Sequence, residues 1–404
     1  MVPVVTVLNA VEIASLSVVL LFLCYLLVLT VLAGRVRIRD CFPARLQRRF
    51  AVVVPAHNEE HGIGQTVKSI LAVEYPADRF DAVVIADNCT DDTASRATEA
   101  GAKVLERHEP AARGKGYALR WGFDRLPAGE NGYDAVVVID ADSVVSANYL
   151  TVLNWYLEQG SPVLQTSDLV QPGNDAWNAQ MTRIGFLLYN YVRPLGRKLI
   201  GGTAGLRGNG MCFSTRILSA FPWNAYSITE DLEYGLTLLL RGIKVTFTPE
   251  ATVFAVMPRD PKNAEGQRAR WEGGRIGLIR RYSLPLLKQA ARRRSLACLD
   301  AFLDLVVPAL VNLVGFVLLA AFVTLSLAWL GVQSMNVYTV VWIVAAGMGI
   351  THLVAGLSIA PADRSLYRAL LQLPRYALWK VLVYSRMRGR WSKHVWTRTT
   401  REIH

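Results

Sequence analysis

Two closely spaced acidic side chains indicate a site for a divalent cation. Asp140 and Asp142 follow the apolar run at residues 135–139. In an extended chain, residues i and i+2 point to the same face, so the two carboxylates can lie side by side. Because like charges repel, such a pair is best stabilised by a divalent cation, which completes its shell with phosphate oxygens. The pair therefore predicts a ligand that carries a diphosphate.

Two more acidic side chains follow apolar runs earlier in the chain. Glu59 lies shortly after the run at residues 51–55, and Asp87 directly follows the run at residues 82–86. Unbroken apolar runs separated by helical segments predict a parallel sheet that is covered on both faces. Because ligands bind at the carboxyl ends of such strands, we expect these acids and the 140–142 pair to meet in one crevice.

Lys115 lies in a glycine-rich segment that two familiar phosphate-binding motifs do not explain. A Walker loop is excluded because Glu109 and Gly116 stand where it needs Gly and Ser or Thr. The segment Gly62-Ile-Gly64 lacks the third glycine of a dinucleotide fingerprint. Lys115 can still contact phosphate as a point charge, and a solvated lysine is the alternative.

A further acidic pair, Glu230 and Asp231, lies in the second half of the chain. Acids are common at the start of a helix, and Ser227 with Glu230 would make a capping box. Capping explains Glu230 and leaves Asp231 without a structural role. We therefore interpret Asp231 as a candidate general base.

Three residues later in the chain share one predicted helical face. Gln267, Arg270 and Trp271 are spaced i, i+3 and i+4. Arg can grip a phosphate with its planar fork, and Trp can stack on the apolar face of a sugar. The alternative for Trp271 is a packing residue near a membrane surface.

Two segments are long and apolar enough to cross a bilayer. Residues 10–34 include 22 consecutive residues without a charge, and this length predicts one transmembrane helix. Residues 304–362 include 58 consecutive uncharged residues, enough for a hairpin of two helices. Basic residues flank the inner ends of both segments, which predicts that the N-terminus is outside and that the catalytic domain and C-terminus are cytoplasmic.

The net charge of +12 does not indicate nucleic-acid binding, because half of the 44 Lys and Arg residues lie in three stretches beside the apolar segments. A cytoplasmic domain is predicted at residues 46–278 and an interfacial amphipathic helix at residues 279–298. Residues 363–404 are predicted to form a second interfacial helix and a basic tail that contacts membrane lipids. Five widely spaced Cys residues show no disulfide or zinc pattern, as expected in a reducing compartment.

These motifs together resemble the family 2 glycosyltransferases, in particular the membrane-embedded branch with hyaluronan, cellulose, chitin-oligosaccharide and poly-N-acetylglucosamine synthases. The resemblance covers residues 50–275 and rests on six segments in order. They are residues 54–60, 87–93, 140–142, 208–210, 229–231 and 267–271. The resemblance implies an α/β fold: a Rossmann-like glycosyltransferase A-type domain, here with three transmembrane helices and amphipathic interface helices.

The resemblance also implies a role for each matched residue. The positions that would surround the nucleoside, usually uridine, are Ala56, Glu59 and Asp87. Those that would contact the diphosphate or the donor sugar are Lys115, Asp140, Gln267 and Arg270. Asp142 would bind Mg²⁺ or Mn²⁺, Asp231 would be the general base, and Trp271 would bind the acceptor. Ala86, Ala56 and His57 depart from the residues usual in this family, which affects base and ribose contacts.

The expected activity is an inverting, metal-dependent hexosyl transfer from a UDP-sugar to a growing saccharide, in the plasma (inner) membrane. Transfer of one sugar to a lipid or lipid-linked acceptor is the alternative, and an inactive nucleotide-sugar-binding membrane protein is a weaker one. Three helices hardly enclose a sugar-wide pore within one chain, which distinguishes this sequence from synthases that extrude a polymer. The sequence leaves the oligomeric state open, including a homo-oligomer.

Overall fold

The computed structural model describes residues 2–42, 45–127, 132–173, 176–257, 261–331 and 337–387. Within them, eight strands form one mixed sheet in the order β3-β2-β1-β4-β7-β6-β8-β5. The strands are β1 (Phe50–Ala56), β2 (Phe80–Asp87), β3 (Lys103–Arg107), β4 (Ala135–Val138), β5 (Ser143–Val145), β6 (Val163–Val170), β7 (Met211–Ser214) and β8 (Thr246–Ala255).

Helices pack on the sheet and continue beyond it. They are α1 (Val2–Ala33), α2 (Ile63–Leu71), α3 (Thr93–Glu99), α4 (Lys115–Phe123), α5 (Tyr149–Glu158), α6 (Trp177–Phe186), α7 (Arg193–Leu199), α8 (Thr215–Ala220), α9 (Glu230–Leu240), α10 (Pro261–Arg293), α11 (Leu296–Val306), α12 (Leu310–Trp329), α13 (Val337–Ile359), α14 (Arg364–Ala369) and α15 (Leu373–Met387). A π-helical segment, Leu187–Val192, joins α6 to α7.

The first half of the sheet has the parallel arrangement that the apolar runs predict. β1 pairs in parallel with both β2 and β4, and β2 pairs in parallel with β3. Side chains of β1 and β4 are buried on both faces, which explains why these strands are apolar at every position rather than at alternate ones. Because the pairs are parallel, the carboxyl ends of β1, β2 and β4 meet at one edge of the sheet.

Three helices are long and apolar enough to cross a membrane, judged by length and composition: Asn9–Ala33, Leu310–Trp329 and Val337–Ile359. They coincide with the two segments that the sequence predicts, except that the first begins one residue earlier, at Asn9. α1 packs closely against α7, since a Cβ at Gly196 would lie 2.2 Å from the carbonyl oxygen of Leu29. Glycine at this position therefore lets the first apolar helix contact the α/β domain directly.

An ion-pair network lies where α1, α7 and α11 meet. Arg197 is buried and forms ion pairs with Asp300 at 2.7 Å and with Asp304 at 2.9 Å. Tyr25 of α1 donates a hydrogen bond to Asp300 at 2.9 Å. Removing one partner would leave an uncompensated buried charge, so the network fixes how these helices meet.

α10 is continuous across the predicted boundary between residues 278 and 279, and Pro285 lies inside it. Leu286 is buried with Leu236 and Leu239 of α9, whereas Leu284 on the same helix is exposed. This stretch therefore packs on the α/β domain on one side and presents an apolar side chain on the other. Residues 388–404, the end of the predicted basic tail, lie outside the described residues.

Candidate active site

The part of the predicted crevice that the resemblance assigns to the nucleoside contains a buried ion pair. Asp87, the last residue of β2, pairs with Arg107 of β3 at 2.5 Å. Asn88 donates a second hydrogen bond to the Asp87 carboxylate at 2.9 Å, and a ring nitrogen of His57 lies 2.7 Å from its carbonyl oxygen. Burial raises the pKa of Asp87, and Arg107 opposes that rise.

Arg107 was not among the residues predicted from the sequence. Asp87 and Arg107 are direct neighbours in the parallel register of β2 and β3, so a basic residue at the end of the next strand was the available signal. The two other residues assigned to this end are also at the sheet edge. Ala56 is the last residue of β1 and is buried, and the backbone N–H of Glu59 donates to Thr93 at 2.8 Å.

Lys115 lies at the centre of the site and joins two of its parts. Its ammonium donates to the carboxylate of Asp140 and to the carbonyl oxygen of Gly208, both at 2.5 Å. Burial lowers the pKa of Lys115, but the negative charges of Asp140, Glu230 and Asp231 outweigh burial and raise it. Lys115 is therefore a permanent cation surrounded by acids, and not the solvated lysine that was the alternative.

The glycine-rich turn at residues 208–210 connects Asp140 to the second acidic pair. Gly208 has a φ of +82°, and a Cβ at this residue would lie 3.1 Å from a carboxylate oxygen of Asp231. The Asn209 side chain accepts a hydrogen bond from the backbone N–H of Asp140 at 3.0 Å. A Cβ at Gly210 would overlap Thr166, at 2.1 Å. The turn thus brings Asp140, Lys115 and Asp231 together.

The expectation that residues 140–142 are extended is wrong. The backbone N–H of Ser143 donates to the carbonyl oxygen of Asp140 at 3.2 Å, so this segment is a turn that leads into β5. Asp142 is buried, and its carboxylate accepts a hydrogen bond from the Ser143 hydroxyl at 3.4 Å. The turn forms because Asn209 binds both the Asp140 backbone and the Ser143 hydroxyl, a contact that spacing does not reveal.

The capping box predicted for Ser227 and Glu230 is also wrong. α9 begins at Glu230, Thr229 is its N-cap, and no side chain caps the helix. Glu230 is instead buried, and burial together with the charge of Asp231 raises its pKa to about 8. Burial also raises the pKa of Asp231, but the Leu232 N–H, Lys115 and Arg207 oppose the rise. Burial therefore raises the pKa of both carboxyls, and the groups beside Asp231 favour its ionised form.

We expect Arg207→Met to move the ascending limb of the pH–rate profile to higher pH. Asp231 must be ionised to act as a base, and Arg207 stabilises its negative charge. Loss of that positive charge raises the pKa of Asp231 further, so activity should fall several-fold on the acidic side of the profile and change little on its alkaline side. Profiles of kcat/KM measure this shift. Arg207→Lys keeps the charge and is the control; an unmoved limb in the Met variant would contradict the assignment.

The other predicted residues, Gln267, Arg270 and Trp271, lie on α10, which runs beside the start of α9. Gln267 is buried, and burial lowers the pKa of the half-buried Arg270. Trp271 is 39% exposed, and its ring centroid lies 5.8 Å from that of Phe186. Trp271 is therefore partly a packing residue, with enough free surface to contact a ligand.

Gly274 brings α10 close to α9. A Cβ at Gly274 would lie 2.6 Å from side-chain methyl carbons of Ile228 and Thr229. We expect Gly274→Ala to cost about 1–3 kcal/mol of stability by overpacking and to lower transfer strongly, because the helix must move. Gly277→Ala is the matched control, since nothing lies within 4 Å of its Cβ. The melting temperature and kcat/KM should fall in Gly274→Ala and should be unaffected or improved in Gly277→Ala. Equal effects in the two variants would contradict this packing role.

The carboxylates of Asp140 and Asp142 are the groups at this edge of the sheet that could hold a divalent cation. Asp140 and Asp142 offer hard carboxylate oxygens, the ligands that Mg²⁺ and Mn²⁺ prefer. Among the described residues, no group of three His, Cys, Asp or Glu side chains converges on one point. A cation held by two carboxylates therefore needs further oxygens, and a diphosphate and water supply them.

Comparisons with known proteins identify the family of this chain and its fold. The family model described as "Glycosyltransferase like family 2" matches residues 47–274. The chain is 26% identical over 254 residues to "Probable glycosyltransferase YdaM" of Bacillus subtilis (strain 168), covering 61% of this chain and 59% of that protein. It is 31% identical over 242 residues to "Beta-monoglucosyldiacylglycerol synthase" of Synechocystis sp., covering 55% and 47%.

A third relative is "Poly-beta-1,6-N-acetyl-D-glucosamine synthase" of Staphylococcus aureus (strain COL), 25% identical over 244 residues, covering 56% of this chain and 55% of that protein. The chain thus spans about half to three-fifths of the length of these relatives. A mannosyltransferase from Pyrobaculum calidifontis, solved with GDP-Man and Mn²⁺, matches with a TM-score of 0.52 and 17% identity, covering 87% of this chain and 98% of that one. This likeness confirms the predicted glycosyltransferase A-type fold.

Proposed function

This chain belongs to the glycosyltransferase like family 2 and is therefore a transferase, and we propose that it moves a sugar from a UDP-sugar to a saccharide at the membrane with inversion. The observation that carries this proposal is the contact of Lys115 with Asp140 and Gly208, beside Asp231. Through this contact, groups proposed to bind the donor lie close to the proposed base. They come from four distant parts of the chain.

The donor half of the site suits a nucleoside diphosphate. Ala56, Glu59 and Asp87 would surround the nucleoside. The buried ion pair with Arg107 would hold the Asp87 carboxylate in position. Breaking the bond to the anomeric carbon leaves negative charge on the diphosphate. Lys115, Gln267 and Arg270 would stabilise that charge, and a Mg²⁺ or Mn²⁺ held by Asp140 and Asp142 would act as a Lewis acid on the phosphate oxygens.

The acceptor half supplies a base. The attacking hydroxyl must lose its proton, and the ionised Asp231 would accept it. Glu230 would keep its own proton at neutral pH, because its pKa is about 8. In-line attack with one base and no enzyme nucleophile inverts the anomeric centre, so an α-linked donor gives a β-linked product.

The three apolar helices favour an acceptor that arrives at a membrane. Large apolar side chains on α12, among them Phe322 and Leu319, are exposed, and lipid is the surroundings that suit them. We propose an integral inner-membrane protein with its α/β domain in the cytoplasm, as the basic residues beside the spans indicate. Trp271 would contact the acceptor.

Two acceptor types remain in competition, because the relatives include both a glycolipid synthase and a polysaccharide synthase. The test is UDP release by the purified chain with a panel of UDP-sugars and Mg²⁺ or Mn²⁺, followed by sizing of the product. A ladder of saccharides supports chain elongation, and a single-sugar glycolipid supports the alternative. Specific nucleotide-sugar binding without any turnover would favour an inactive binding protein.

A further inference from the structure

Two exposed tyrosines stack on each other beside the candidate site. The rings of Tyr117 and Tyr226 have centroids 4.5 Å apart and an interplanar angle of 22°, and the residues are 37% and 43% exposed. Among the Phe, Trp and Tyr residues at positions 45–127, 132–173 and 176–257, these two are the exposed ones. Stacking covers one face of each ring, and both side chains remain partly exposed.

The backbone holds this tyrosine pair in place. A Cβ at Gly116 would lie 2.3 Å from the carbonyl oxygen of Ala225 and 3.3 Å from the Cα of Tyr226, so the loop before α9 lies directly on the first turn of α4. The buried indole of Trp223 donates a hydrogen bond to the same Ala225 oxygen at 3.1 Å. The pair is therefore pre-organised, and binding need not first order it.

The tyrosine pair stands between the two elements that carry the central site residues. Tyr117 follows Lys115 by two residues in α4, and Tyr226 precedes Asp231 by five. Five residues span at most about 18 Å, so the pair lies within the length of a short oligosaccharide from the base.

We propose that Tyr117 and Tyr226 form a subsite for sugar units of the acceptor behind the reacting one. The inference rests on the proposed function and deepens it by assigning a saccharide acceptor. The C–H faces of a pyranose ring stack on aromatic rings, and the phenol hydroxyls can bond to sugar hydroxyls. A diacylglycerol acceptor has no sugar ring for this surface, so the pair favours chain elongation over transfer to a bare lipid.

The first experiment measures binding without turnover. Full-length wild type in detergent is mixed with cello- and chito-tetrasaccharides, and binding is measured by saturation-transfer difference NMR. We expect wild type and Y117F/Y226F to bind, and Y117A/Y226A to bind about tenfold more weakly. No binding by wild type, or equal binding by the alanine variant, would overturn the subsite.

Turnover separates this inference from the proposed function. Y117A/Y226A should raise the KM for the oligosaccharide acceptor and leave acceptor-independent UDP release unchanged, which also shows that the variant folds and binds donor. A raised KM for the donor, with the acceptor KM unchanged, would overturn the assignment. A wild type that releases UDP from no UDP-sugar, yet binds the tetrasaccharides through the tyrosines, would refute the proposed transferase reaction and keep the subsite.

Discussion

Asp231→Asn is expected to lower kcat by about 10²–10⁴-fold while the affinity for UDP stays within a few-fold of wild type. Asn is nearly isosteric with Asp but cannot accept the proton of the attacking hydroxyl. The carboxylate lies beside Gly208 and is a direct partner in neither the Asp87–Arg107 pair nor the Lys115–Asp140 contact, so both should stay intact. UDP release with saturating acceptor and titration calorimetry with UDP measure the two effects.

Glu230→Gln is the matched control for this variant. Burial raises the pKa of Glu230 to about 8, so its carboxyl is mostly protonated at pH 7, and the uncharged Gln has a similar shape. The control should keep most of the activity at pH 7. If Glu230→Gln abolished transfer and Asp231→Asn did not, the base would be Glu230, and the assignment made from both sequence and geometry would be wrong.

The convergence of acids at one sheet edge could be predicted from the sequence because it depends on local patterns. The uninterrupted apolar runs that became β1, β2 and β4 identify strands buried on both faces. Parallel pairing then places whatever follows each strand at the same edge. Asp87 and Asp140 lie there for this reason, and the prediction required no knowledge of side-chain contacts.

The contacts within the site could not be predicted, because they come from segments far apart in sequence. Arg107 pairs with Asp87 across a strand register, and Asn209 shapes the turn after Asp140. The capping box failed for a related reason: tertiary packing buried Glu230 beside Asp231, and that burial overrode a local helix-start pattern. The glycines at 116 and 274 permit close approaches whose partners only the fold identifies.

Asp140→Asn should impair donor binding, whereas Asp231→Asn removes the base. In the presence of Mg²⁺ or Mn²⁺ we expect the affinity for UDP to fall about tenfold or more. Transfer should also be severely reduced. Asp140 holds Lys115 at 2.5 Å and is one of two carboxylates proposed to hold the cation. Its replacement would therefore remove a proposed metal ligand, and the loss of that cation is what should weaken UDP binding.

Comparing the two variants separates donor binding from proton transfer. Asp231→Asn should bind UDP with the metal dependence of wild type, whereas Asp140→Asn should bind it weakly and gain little from added Mn²⁺. Because Lys115 keeps its hydrogen bond to the Gly208 carbonyl oxygen, the site should remain folded, and an unchanged melting temperature is the check. If Asp140→Asn bound UDP and responded to Mn²⁺ as wild type does, Asp140 would serve only to position Lys115, and the cation would have to be assigned to other oxygens.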